Sequence, residues 1–395
     1  MLPNLSQRAH SFRASAIRKL DAAVARRTDT RFHRLNIGQP DVPTPVALRD
    51  AIAAFAKDEK VVRYGPASGL AACRAAAAAY HSRWRSSLSA DHIAVTHGGS
   101  EALLFAFAAA CDAGDEVLVP EPFYTNYNGF AKLADVSLRP IPTSLEAGFA
   151  IPDDDALDAL VTPKTRAFVF SNPANPTGKI YERSEVERLV RWTERRNLWL
   201  ISDEVYRRIW FSNPPASVLE FEGDHLMCVD SLSKTYSACG ARLGFLICGS
   251  EDLMARIERF GQARLGPQPL AQHMAIAAYG LPEAYYEETR LRYKARIEAL
   301  LAGLAKIDGV KTHAPDGAFY LMCALPLEDS EDFARFLAED FSHEGESVVV
   351  APAPGFYAGT EQGRDQIRLA AVTEEASLTR ACELLAAALN AYQAA

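Results

Sequence analysis

The chain has 395 residues, 49% of them hydrophobic and 23% charged, with 42 basic against 50 acidic residues and a formal charge of −8. That length allows a large core and two domains, and the acidic balance argues against a dedicated nucleic-acid binder, which would carry a basic domain or stripe. No apolar run approaches the roughly 20 residues needed to span a bilayer, and seven cysteines without a CxxC pair read as buried or free thiols in a reducing cytosol.

The N-terminus is arginine-rich, as a transit peptide would be. It also holds Asp21 and Asp29, and SAIRKLDAAVA places Ile17, Leu20 and Val24 at helical spacing, so it reads as a helix of the working protein. From about residue 45 to 250, short apolar runs alternate with helical patterns. Leu70–Trp84 is alanine-rich and helical. HIAVTHGG is a short strand ending in a glycine turn, and SEALLFAFAAA is a helix. DEVLVPEP and TRAFVFSNP are strands closed by prolines. SEVERLVRWTERRN is an amphipathic helix with Val186, Leu189, Val190 and Trp192 on its apolar face. LWLISDE, HLMCVDSLSK and RLGFLICG are further strands. Apolar strands separated by helices predict βαβ units and a largely parallel sheet. Ligands of such sheets sit beyond the carboxyl ends of the strands, so the polar residues found there are the candidates for a site.

After about residue 280 the pattern changes. A long charged helix, EAYYEETRLRYKARIEALLAGL, leads to GAFYLMCAL, EDFARFLAEDF, SVVVAP, DQIRLAAV and a last helix, SLTRACELLAAAL. This reads as a smaller α+β domain. The expected division is 44–284 for a large domain, with 1–43 and 285–395 forming the small one.

Common nucleotide and metal signatures are missing from the sequence. No GxGxxG follows a strand, Gly178-Lys179 is followed by Ile rather than Ser or Thr, and there is no HExxH or Cys/His cluster, so no metal is expected. What remains is THGGSEALLFA, where two glycines and a serine precede a helix. The free amides of Gly99, Ser100 and Glu101 and the helix dipole suit a phosphate, although a serine N-cap alone would look the same. Asp203 follows the buried run LWLI. It is either a cap or ion-pair partner, or the partner of a buried cationic ring nitrogen. SNPANPTG ends another strand, and turn chemistry alone explains it. Lys234 stands in SLSKTYSACGARLGF among small, hydroxylic and apolar residues. A phosphate cradle, a carboxylate, a polar Asn and a lone lysine are together what pyridoxal 5′-phosphate requires.

At this point the chain resembles the fold-type I pyridoxal-phosphate aminotransferases of class I/II, the aspartate aminotransferase superfamily. The ordered set NPTG, SDEVY, SLSKTYSACGARLG and IRLA carries the resemblance, which runs from LNIGQPDVPTP near residue 35 to IRLAAV near 370. It implies an α/β fold with a mostly parallel seven-stranded sheet between helices. Lys234 matches the lysine that bonds the cofactor aldehyde and later moves the Cα proton. Asp203 matches the partner of the ring nitrogen, and Asn175 and Tyr206 match the contacts to the ring's phenolic oxygen. Tyr124 aligns with the aromatic on the ring face, with Phe123 as a rival. Gly99, Ser100, Ser231, Ser233 and Arg242 would surround the phosphate, and Arg242 brings a bidentate fork to it. Tyr64 matches a tyrosine that reaches the phosphate from the other subunit, which implies a homodimer with shared sites. Arg368 matches the grip on the substrate α-carboxylate, and Gly38 the backbone that closes over it.

The side-chain specificity is less legible. Arg264, in GQARLGPQPLAQ, falls near a partner-subunit arginine for a distal carboxylate in the aspartate enzymes; the other reading is a surface or interface arginine. The resulting expectation is a cytoplasmic aspartate:2-oxoglutarate aminotransferase that binds neither nucleic acid nor membrane. Aromatic or neutral amino acids, or β-elimination or cyclisation on the same fold, are the alternatives. An effector-sensing domain of a transcription regulator is the reading from another class, and it would need an N-terminal DNA-binding unit for which about 35 residues leave no room.

Overall fold

The structure is a computed structural model that describes residues 4–12, 16–359 and 361–394. Among these, β1 (Arg31–Arg34) comes first. The next seven strands are β2 (Ile93–Thr96), β3 (Glu116–Glu121), β4 (Ser137–Pro142), β5 (Thr165–Ser171), β6 (Trp199–Asp203), β7 (Leu226–Ser231) and β8 (Gly244–Cys248). The last five are β9 (Lys311–Thr312), β10 (Tyr320–Ala324), β11 (Glu346–Val349), β12 (Ala351–Pro352) and β13 (Gln366–Ala370).

Strands β2 to β8 form one seven-stranded sheet in the order β2-β8-β7-β6-β5-β3-β4. Its pairs are parallel except where β8 joins β2 and β7, so the expected α/β architecture with a mostly parallel sheet is what the chain adopts. Both faces are covered, and the central strands are therefore apolar throughout rather than alternating. Ile201, Met227 and Val229 pack in a core with Leu103 and Phe107 of the helix Gly98–Ala110. Leu200, Leu226 and Cys228 pack in a second core with Cys73 and Ala77 of the helix Ala71–His81. The twofold period carries Asp203 and Ser231 onto the first face, and Glu204 and Asp230 onto the second.

Strand β4 has no counterpart in the sequence reading. It holds Pro140 and Pro142 and lies at the sheet's edge, where a missing amide breaks no ladder. The helix Tyr127–Ala134 is also unannounced, because it starts inside the aromatic turn PEPFYTNY.

The C-terminal part builds an antiparallel sheet, β12-β13-β10-β9, backed by the helices Glu283–Leu304 and Glu375–Gln393. Leu300, Leu304, Leu378, Leu385 and Phe333 form its core, and Leu20 and Val24 of the N-terminal helix Ala16–Arg26 join them. The side chain of Ile17 lies outside the described residues. Strand β1 pairs in parallel with β11, which fastens the N-terminal segment to residues 346–349. Buried Arg296 then grips Asp41 through both carboxylate oxygens, at 2.6 and 2.9 Å, and so holds the IGQPD segment in place. Among the described residues no helix is long and apolar enough to cross a membrane.

Candidate active site

Beyond the carboxyl ends of β5, β6 and β7 lies a cavity of about 490 Å³. It brings together Gly38, Gly99, Ser100, Tyr124, Asn175, Asp203, Tyr206, Ser231, Ser233, Lys234, Arg242 and Arg368. These come from separate elements, and the sheet's right to gather them is the general rule for ligands of parallel sheets.

One end of the cavity gathers groups whose chemistry suits an anion. The helix behind THGG begins at Gly98, with His97 as an N-cap that makes no side-chain bond, so its first amides are uncapped. Gly98 has φ +77°, and a side chain there would put its Cβ 2.6 Å from Nη2 of Arg242. Gly244 is confined in the same way, since its Cβ would fall 2.4 Å from the carbonyl carbon of Gly98. Ser231 Oγ donates to the Leu243 carbonyl at 3.0 Å and lies 2.8 Å from Ser233 Oγ, whose proton it can accept. Arg242 donates to the Cys239 carbonyl and pairs with no carboxylate among the described residues. Glu101 departs from the expectation. The helix starts at Gly98, two residues earlier than the SEALLFA reading implies, which takes the Glu101 amide into the helical ladder. Its carboxylate accepts from the His97 amide at 2.9 Å, and it does not line the cavity.

Two buried charges of opposite sign face the same space without ion-pair partners among the described residues. Asp203 accepts from Tyr127 Oη at 3.0 Å and lies 3.5 Å from the Val205 amide. Burial pushes its carboxyl up to about 6, with the tyrosine bond opposing. Arg368, equally buried, donates from Nη1 to Asn175 Oδ1 at 3.2 Å and from Nη2 to the Asn36 carbonyl at 2.6 Å, and its Nε has no partner. Desolvation lowers its pKa from the ordinary arginine value. Its guanidinium lies over the rings of Tyr320 and Phe356, at 4.4 and 5.0 Å.

Lys234 donates to the Gly38 carbonyl at 2.7 Å, so the lysine and the N-terminal segment meet directly. Tyr124 faces the cavity, with its hydroxyl accepting from Asn126 Nδ2 at 2.8 Å. Its rival Phe123 is turned into the core, stacked on Tyr127 at 6.3 Å. Tyr64 and Arg264 lie away from this chain's own cavity. Tyr64 is 85% exposed. Arg264 is tied at home, with Nε 3.1 Å from Glu101 and bonds to the Val95 and Leu265 carbonyls.

Several lining residues escape the sequence reading, among them Asn36, Gln39, Asn126 and Tyr320, and so does Tyr127, which stands behind the cavity wall as the partner of Asp203. The third aromatic of PEPFYTNY and the tyrosine of GAFY are the available signals, but spacing alone does not distinguish either from a core aromatic. Among the described residues no group of three or more His, Cys, Asp or Glu could hold a metal.

A family model for class I and II aminotransferases matches residues 30–385. An aspartate/prephenate aminotransferase from Thermus thermophilus is 31% identical over 393 residues, spanning 98% of this chain and 99% of the relative. An aspartate aminotransferase from Thermotoga maritima is 31% identical over 90% of this chain and 91% of its own. Among solved structures, the Thermus thermophilus aspartate aminotransferase with maleate superposes with a TM-score of 0.89 at 28% identity, covering 98% of this chain and all of that one.

Proposed function

The chain belongs to the class I and II aminotransferase family, and from that premise we propose that its cavity binds pyridoxal 5′-phosphate and exchanges amino groups between aspartate and 2-oxoglutarate. The observation that carries the reading is the pair of buried, uncompensated charges, Asp203 and Arg368, in one cavity with Lys234. A buried charge without a partner costs several kcal/mol. A ligand that brings a cationic ring nitrogen to one and a carboxylate to the other satisfies both.

The residues fit that cofactor. The close contact of Gly98 and Gly244 with each other and with Arg242 leaves backbone amides and a guanidinium free for a phosphate, and Ser231 and Ser233 add hydroxyls. What the cofactor supplies when bound is an aldehyde for the amino group and a ring that accepts the electron pair released at Cα. The chain supplies the rest. Asp203 holds a proton at the ring nitrogen. Tyr206 and Asn175 would contact the phenolic oxygen, and Tyr124 would cover the ring. Arg368 orients Cα by gripping the α-carboxylate, with the Gly38 backbone closing over it. The Lys234 amine would carry the Cα proton as general base and acid.

The aspartate assignment rests on the relatives' names and on maleate, a dicarboxylate, in the Thermus thermophilus enzyme. A distal clamp from Arg264 would require it to leave Glu101. A homodimer is supported by one exposed apolar strip, Val61, Val62, Tyr64 and Leu265, whose segments touch where Gly65 meets Gly266. Cysteines that are all free agree with a reducing, cytoplasmic setting.

Purified protein loaded with pyridoxal phosphate and mixed with aspartate should lose the visible band of the pyridoxal form and release oxaloacetate. Added 2-oxoglutarate should restore the band. No spectral change with any of a panel of amino acids overturns the cofactor reading. A change with aromatic or neutral amino acids but not with aspartate overturns only the substrate.

A further inference from the structure

Tyr206 follows β6 of the seven-stranded sheet, three residues beyond Asp203. Tyr320 opens β10 of the antiparallel sheet. Their hydroxyls lie 2.9 Å apart in the wall of the cavity, and both side chains are buried. Tyr320 is held on three sides. The Arg368 guanidinium sits 4.4 Å above its ring. The Gly38 backbone presses on its hydroxyl so closely that a Cβ at residue 38 would fall 1.8 Å from Oη. Tyr206 meets its ring edge to face at 5.6 Å. A ring so placed would serve equally well as phenylalanine if packing were its whole purpose. A buried hydroxyl needs a partner, and this one has Tyr206.

The direction of that bond follows from proton counting. A phenol has one proton to give. If Tyr206 is to donate to a ligand oxygen in the cavity, it cannot also donate to Tyr320, so Tyr320 must donate to the Tyr206 oxygen. Bonds arranged head to tail polarise one another, and a phenol that accepts becomes a stronger donor. A guanidinium over the Tyr320 ring strengthens its donation in turn. Nothing in the sequence reading gave Tyr320 a role.

We propose that Tyr320 is a positioning residue that orients the Tyr206 hydroxyl and strengthens its donation to the phenolic oxygen of the bound cofactor. This rests on the pyridoxal-phosphate reading above. Its consequence reaches the bond between Lys234 and the cofactor. With Tyr320 in place, negative charge on the phenolic oxygen is well stabilised, and the neighbouring nitrogen gives up its proton at lower pH. Because Arg368 lies on the same ring, the carboxylate grip and the phenolic-oxygen contact share one residue.

The test is a pH titration of the visible absorbance of the loaded protein, made on wild type, Tyr320→Phe, Tyr206→Phe and the double variant. Tyr320→Phe keeps the ring beneath Arg368, and its thermal midpoint is measured alongside to establish folding. We expect Tyr320→Phe to move the titration midpoint upward by on the order of 0.5 pH unit. Tyr206→Phe should move it further, and the double variant should titrate with Tyr206→Phe. An unchanged midpoint in Tyr320→Phe overturns the proposal. So does an equal further shift in the Tyr206→Phe background, because Tyr320 would then act without Tyr206. Wild-type protein that shows no pH-dependent visible band at all overturns the cofactor reading itself, a result distinct from either.

Discussion

Replacing Asp203 by asparagine should stabilise the cofactor-free protein while disabling the loaded enzyme. The carboxyl lies at about 6 because burial disfavours its charge, against an ordinary 3.8. A carboxyl held above its unfolded value binds its proton more tightly when folded. The stability it contributes is therefore present below pH 4 and is lost as pH rises through 6. At about 1.4 kcal/mol per pH unit, the ionised side chain costs the fold about 3 kcal/mol above pH 7, and about half of that at pH 5. Asparagine has nearly the same shape, can still accept from Tyr127, and carries no charge. Spread over a chain of this length, that gain corresponds to a rise of about 2 to 4 °C in Tm. The assay is scanning calorimetry of cofactor-free wild type and Asp203→Asn at pH 5 and pH 7.5, paired with the aspartate half-reaction of the loaded forms. We expect the variant to melt higher at pH 7.5, with a smaller difference at pH 5, and to lose activity by roughly 10³-fold or more, as for other fixed electrostatic partners of a reacting group. A variant that melts at or below wild type at pH 7.5, or by the same margin at both pH values, would refute the claim that Asp203 is a strained buried charge awaiting a cation.

Three further outcomes follow from the same geometry. Arg368→Leu should lower kcat/KM for amino acids by about 10²- to 10³-fold while leaving the cofactor's dissociation constant near wild type, because the guanidinium serves the substrate carboxylate; a parallel loss of cofactor would contradict the assignment. Gly98→Ala should weaken pyridoxal-phosphate binding by about tenfold or more in an equilibrium titration, since the added methyl carbon meets Arg242 at 2.6 Å and the backbone has a positive φ. Arg207, on the opposite face of the sheet, pairs with Glu204 at 2.6 Å, donates to Cys228 Sγ at 2.8 Å and lies over Trp84. Arg207→Met should cost about 3 to 5 kcal/mol in denaturant unfolding by removing the cation that pairs with Glu204, and Glu204→Gln on top of it should recover part of the loss.

The local pattern of the chain was enough for the strands with apolar runs and for the residues at their carboxyl ends. LWLI, HLMCV and FLIC could only be buried strands, so Asp203, Ser231 and Lys234 had to emerge at one rim. The glycine turn before SEALLFA suited either an anion or a serine cap, and only the helix start at Gly98 shows that its first amides have no side-chain cap. What the sequence could not supply were contacts made by residues far apart in the chain and chemically ordinary in isolation. Tyr127 reads as core, and only the packing of its helix against the sheet delivers its hydroxyl to Asp203. Tyr320 reads as one more apolar position of a strand until β10 brings it to Tyr206 and beneath Arg368. Arg264 carries a charge that sequence alone can assign to a substrate, and only the fold shows that within its own chain it pairs with Glu101. The sequence determined which groups line the ends of the strands, because alternation and burial are local. Tertiary structure decided which charges stay unpaired in the cavity, because pairing depends on distances that no spacing along the chain records.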